Sequence, residues 1–95
     1  LAVLKLFGKQ NNNYLSFPME GYTLALDFKN TPKVHELLEK LDAIVNENNG
    51  RIYLAKDSRT KKYSVLKGYE DFKKFKNKIV SQKTFSSLQS RRLFN

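Results

Sequence analysis

Hydrophobic and polar positions along the chain first alternate, then repeat every three to four residues. From Ala2 to Phe7, Ala2, Leu4 and Leu6 fall on one side while Val3, Lys5 and Phe7 fall on the other, the period of a strand with two differently used faces. Gly8 and the polar run Asn11, Asn12 and Asn13 end it in a loop, because glycine and asparagine accept turn conformations. Pro18 and Gly21 bracket a turn into a second alternating run, Tyr22 to Phe28. Tyr22, Leu24, Leu26 and Phe28 share one face there, and Thr23, Ala25 and Asp27 the other.

The period changes at Thr31-Pro32. A threonine hydroxyl can accept an orphan amide, and proline at the first helical position lacks an amide to satisfy. Val34, Leu37, Leu38, Leu41, Ile44 and Val45 then form one apolar stripe, with Glu36 and Lys40 able to pair on the outer side. Asn49 and Gly50 supply a left-handed stop. A third strand is expected next, with Ile52 and Leu54 pointing one way and Arg51, Tyr53 and Ala55 the other. Strand, helix and strand with short joints favour a parallel crossover, which would lay the helix over the face bearing Leu4, Leu6, Leu24, Leu26, Ile52 and Leu54. A short helical turn around Tyr63, Val65 and Leu66 follows, and Gly68 separates it from an amphipathic helix. There Tyr69, Phe72, Phe75 and Ile79 face inward and Lys73, Lys74, Lys76 and Lys78 face water; a last turn runs from Leu88 to Leu93. The expected class is α+β: a small sheet of three strands with one face covered by helices, in the order ββαβ, then carboxyl-terminal helices.

Ninety-five residues make one domain with one core. With no cysteine and His35 as the only imidazole, disulfides, thiolate nucleophiles, zinc–thiolate sites and iron–sulfur clusters are excluded. His35 stands without a carboxylate or second imidazole at ligand spacing and reads as solvated surface. No apolar run is long enough to span a membrane, and no leader series marks the amino end. The expected location is cytoplasmic, with membrane association left open. Because Leu1 opens the chain within a strand and no methionine precedes it, the chain is expected to be a piece of something longer.

The net charge of +9 is uneven: from Lys56 to Arg92, twelve basic residues stand against three acidic ones. A basic α+β module that binds nucleic acid or another anionic partner is therefore one functional class to carry. Against it, the aromatic residues of the basic half sit at core spacing, where they cannot stack on bases. The sheet face opposite the expected helix bears Lys5, Phe7, Thr23, Ala25, Asp27 and Tyr53. That mixture suits a surface packed on a partner domain or ligand, or a solvated face with a few apolar groups. Just past the third strand, Lys56 is either a solvated lysine or a cation held beside an anionic group. The chain contains neither a serine elbow nor a phosphate-cradling glycine loop.

Several segments carry a resemblance. Leu4-Lys5-Leu6-Phe7-Gly8, Leu15-Ser16-Phe17-Pro18, Gly21 to Phe28, Gly50-Arg51-Ile52-Tyr53-Leu54-Ala55-Lys56-Asp57-Ser58-Arg59, Tyr69 to Phe75 and Arg91-Arg92-Leu93 resemble, in order, the carboxyl-terminal part of FAD-dependent oxidoreductases related to decaprenylphosphoryl-ribose oxidase. Sugar-lactone and alditol oxidases are similar but more distant. The resemblance implies a two-domain flavoenzyme of the vanillyl-alcohol-oxidase type, in which residues 1–95 are the carboxyl-terminal portion and an amino-terminal domain of the same polypeptide holds most of the FAD. It implies a sugar or sugar-lipid substrate oxidised by hydride transfer to flavin, and an isolated chain that is inactive and inclined to self-associate. Lys5, Phe7, Thr23 and Ala25 match substrate-pocket positions, Tyr53 and Lys56 match residues near the flavin, and Lys56 is the expected catalytic cation. The chain departs from the pattern at Ser81-Gln82, where an Asp-Pro is usual, and at Thr23 and Ala25, where some relatives carry asparagine or cysteine. Alanine excludes covalent chemistry at position 25.

Overall fold

Two six-residue strands, β1 (Ala2–Phe7) and β2 (Gly21–Leu26), pair antiparallel in the computed structural model, which describes residues 1–81 and 85–95. Gln82, one of the two positions departing from the Asp-Pro pattern, lies outside the described residues. The register sets Lys5 opposite Thr23, Val3 opposite Ala25 and Phe7 opposite Gly21. β2 opens on Gly21 at φ +145°, a backbone conformation that side chains other than hydrogen disfavour. Between the strands, the Asn13 amide donates to Asn11 Oδ1 at 2.9 Å, a local turn of the kind asparagine favours.

α1 runs from Pro32 to Glu47, and Thr31 Oγ1 accepts from the Val34 amide at 3.3 Å. Asn49 takes φ 55° just past its end, the left-handed stop expected there. Glu36 and Lys40 approach to 3.7 Å on the exposed side, and His35 is exposed, with Nε2 2.5 Å from Asn30 Oδ1. Three short helices follow: α2 (Lys62–Gly68), α3 (Phe72–Val80) and α4 (Leu88–Phe94). α2 packs on α1, α3 and α4. Val65, Tyr69, Phe72 and Leu93 form the buried core, joined by Leu15, Phe17, Leu54 and Phe94.

The α+β class holds, with two corrections. Residues 51–55 are not a third strand: the segment is unpaired and turns into one 3-10 turn at Leu54–Lys56. Side chains occupy carbonyls that a ladder would use, because Tyr69 Oη donates to Ile52 O at 2.6 Å and Gln89 Nε2 to Leu54 O at 2.7 Å. Without that strand there is no parallel crossover. Accordingly, α1 sits on α2 instead of over the leucine face of the sheet, and none of its residues is fully buried. Leu4, Leu6, Tyr22 and Leu24 stay 60–75% exposed. The radius of gyration is 14.2 Å, above the about 12.4 Å of a compact domain this long. No helix among the described residues is long and apolar enough to cross a membrane.

Candidate functional site

Strand alternation and the observed register place Lys5, Phe7, Thr23 and Ala25 on one sheet face together with Val3. It is the more sheltered face, the reverse of the expectation that helices would cover the leucine side. Val3, Phe7 and Thr23 are half-buried, whereas Lys5 and Ala25 are exposed. The Phe7 ring meets Phe17 edge-on at 5.9 Å, and Phe17 tilts against Tyr53 at 4.9 Å, within the range in which aromatic pairs attract. Phe17 thus joins the strand face to the segment that carries Tyr53. Tyr53 remains half exposed, and Lys56, one 3-10 turn further on, is exposed.

The segment from Arg51 to Thr60 is held on several sides. Arg51 donates to Ser16 O at 2.5 Å and to Gln10 Oε1 at 3.0 Å, and its guanidinium lies 5.3 Å from the centre of the Tyr69 ring. Burial pushes the Tyr69 phenol up to about 12, against the opposing pull of the Arg51 cation. The close of α2 fits tightly here, since a Cβ on Gly68 would stand 2.9 Å from Arg51 Cβ. Beyond the turn, Asp57 Oδ1 accepts from the amides of Arg59 at 3.0 Å and Thr60 at 2.8 Å, and Asp57 also pairs with Arg92. Arg59 reaches back to Asp42 on α1 with two bonds of 2.8 Å, and that bond raises the guanidinium pKa further.

The face therefore presents Lys5, the Thr23 hydroxyl and the Phe7 ring, and Phe17 links it to the segment that bears Tyr53 and Lys56. Neither Lys5 nor Lys56 enters an ion pair among the described residues. Such a surface can bind an anion or a hydroxyl-rich ring against aromatic edges. Among the described residues no cluster of His, Asp and Glu could hold a metal ion. A groove of about 390 Å³ begins at the same turn, lined by Leu15, Leu54, Ala55, Phe75, Leu93 and Phe94 among others. Lys5, Phe7, Thr23 and Ala25 share one sheet face, Phe17 links Phe7 to Tyr53, and Lys56 follows three residues after Tyr53. The patterning did not single out Phe17, Asp57, Gln89 or Arg92. Phe17 sits in a loop without period, and the other three act through contacts over thirty residues apart, such as Arg92 with Ser58.

No protein-family profile matches the chain. Over 96 aligned residues it is 35% identical to the decaprenylphosphoryl-beta-D-ribose oxidase of Mycolicibacterium smegmatis, covering 98% of this chain and 21% of that protein. It is also 33% identical over 96 residues to an uncharacterized protein in the mprA 5' region of Streptomyces coelicolor, covering 97% of this chain and 26% of that one. The chain thus spans about a quarter or less of the length of these curated relatives, and it is related in sequence to an oxidase along nearly all of its own length.

Proposed function

We propose that this chain is the carboxyl-terminal, substrate-side portion of an FAD-linked oxidoreductase that oxidises a hydroxyl of a sugar or sugar-lipid by hydride transfer to flavin. The observation that carries the reading is the sheet face shared by Lys5, Phe7, Thr23 and Ala25, linked through Phe17 to the segment that bears Tyr53 and Lys56, in a chain similar to an oxidase along 98% of its length. These residues fit a flavin as one wall of its site, with ring edges and two ammonium groups that make no ion pair among the described residues. The remaining wall and the phosphate cradle belong to an amino-terminal domain of the same polypeptide.

Bound FAD would supply the hydride acceptor, whose N1 and C2 carbonyl region gains negative charge on reduction. Lys56 offers a cation to that charge. Lys5 and Thr23 bind a hydroxyl or phosphate of the substrate, Ala25 leaves room beside them, and Phe7 and Tyr53 exclude water by packing on the apolar faces of sugar and ring.

The experiment is stopped-flow reduction of the full-length flavoprotein by candidate sugars and lipid-linked sugars. Lys56→Met should lower the limiting rate about 10²-fold, the size of effect seen when one charge-stabilising donor is removed. A full-length protein that binds no flavin, or an unchanged rate in Lys56→Met, sinks the reading of the protein or of Lys56 respectively. The basic-module reading gains nothing from α3, whose Phe72 is buried and whose Phe75 packs on Phe94 at 5.9 Å.

A further inference from the structure

Two side chains of α4, three residues apart and so on one side of the helix, grip the backbone on either side of Lys56. Gln89 Nε2 donates to Leu54 O at 2.7 Å, before the lysine. Arg92 donates to the Asp57 carboxylate and, at 2.5 Å, to Ser58 O, both after it. The Asp57 side chain is 4% exposed, and its other oxygen is taken by the Arg59 and Thr60 amides. The turn can therefore shift only if these bonds break. α4 is itself anchored: Leu93 is 2% exposed in the core, and the Ser87 and Ser90 side chains each cap the other's backbone amide. Lys56 makes no ion pair of its own among the described residues. Its placement thus depends on the backbone that α4 holds.

We infer that α4 is the positioning element for Lys56, with Gln89 and Arg92 fixing the 3-10 turn so that the lysine stem starts from one place beside its anionic target. This rests on the proposed role of Lys56. Preorganised charge stabilises a developing anion because no energy is spent reorienting it during the reaction, and a loosened turn gives up that advantage while leaving the lysine present. Neither Gln89 nor Arg92 need touch the substrate to do this.

The test has two arms. In the full-length flavoprotein, amide hydrogen exchange read by mass spectrometry should accelerate about tenfold across Leu54 to Thr60 in Gln89→Ala and in Arg92→Lys, with α1 amides unchanged, as local opening requires. Gln89→Ala leaves the Asp57 carboxylate paired and guards against a variant that fails to fold. Unchanged exchange in that segment, or equal acceleration everywhere, overturns the inference. In the full-length flavoprotein, Gln89→Ala should lower the limiting rate of reduction about five- to tenfold with substrate Kd altered less than twofold, and should add nothing to Lys56→Met, since residues acting as a unit are not additive. Additive losses overturn the inference. If Lys56→Met alone leaves the rate unchanged, the functional role of Lys56 fails, and the exchange arm still decides whether α4 holds the turn.

Discussion

Arg59 binds Asp42 with both terminal nitrogens, each at 2.8 Å from a different carboxylate oxygen, and so ties the loop after Lys56 to the middle of α1. The two side chains are 24% and 17% exposed, sheltered enough that water competes poorly for either. A two-pronged, charge-assisted pair of this kind contributes more than an exposed ion pair such as Glu36–Lys40, whose side chains are both 72% exposed.

Asp42→Asn is accordingly expected to destabilise the fold by about 1.5–3 kcal/mol, the range for hydrogen bonds to charged groups. Glu36→Gln is expected to change stability by less than about 0.5 kcal/mol. Urea denaturation of both variants checks the contrast, and equal effects would mean that the Arg59 pair is no better than a surface contact.

Tyr69 gives the chain an alkaline limit. Its hydroxyl donates to Ile52 O at 2.6 Å, and burial raises its pKa from 10.0 to about 12. The folded chain thus keeps a proton that the unfolded chain releases near pH 10. The stabilisation is complete below pH 10 and is lost as pH rises through about 12. Tyr69→Phe should flatten the difference in stability between pH 9 and 12, roughly the window bounded by those two values. Denaturation midpoints across that range, with absorbance titration of the phenolate, provide the measurement; parallel curves for the two proteins would refute it.

Gly68→Ala tests the close approach of α2 to Arg51. An added Cβ would stand 2.9 Å from Arg51 Cβ and 3.2 Å from its Cα, so backbone has to move and a flexible tip cannot absorb the clash. Overpacking of this kind costs about 1–3 kcal/mol, against the roughly 1 kcal/mol that alanine gains over glycine within a helix. The expected sign is destabilising, with chemical-shift changes concentrated from Arg51 to Leu54. A variant as stable as the parent would show that the approach is slack.

The leucine face of the sheet behaves differently from a core. Leu6 is 70% exposed and Leu24 60%, so Leu6→Ser and Leu24→Ser should leave thermal stability within about 0.5 kcal/mol, as surface substitutions do. The same variants should lower the fluorescence of a dye that binds apolar surface, because a bare patch of this size is what such dyes report. By contrast, Phe72→Ala, at a residue 1% exposed, should cost about 3–5 kcal/mol.

Local elements were legible in the residues. The Thr31-Pro32 start and Asn49 stop of α1, the alternation of β1 and β2, and the inward face of α3 each depend on neighbours within a few positions. The shared face was legible for the same reason: alternation alone places Lys5 and Phe7 on one side of β1, and Thr23 and Ala25 on one side of β2. Residues 51–55 misled because their alternation is real while their carbonyls are claimed from afar, by Tyr69 and Gln89. Periodicity reports which side chains share a face, and is silent on which backbone groups find a ladder partner.

What the residues determine by themselves is therefore short-range: element type, caps, the absence of thiol chemistry, and a similarity to an oxidase that runs through the whole chain. What the tertiary structure decided is which face is covered and what holds the turn that carries Lys56. α1 settled on α2 and left Leu4, Leu6 and Leu24 bare, and Asp57 found Arg92 thirty-five residues away. The physical reason is that burial and ion pairing depend on distances in space, set by how the helices pack, and no period in the chain encodes a partner that far along it.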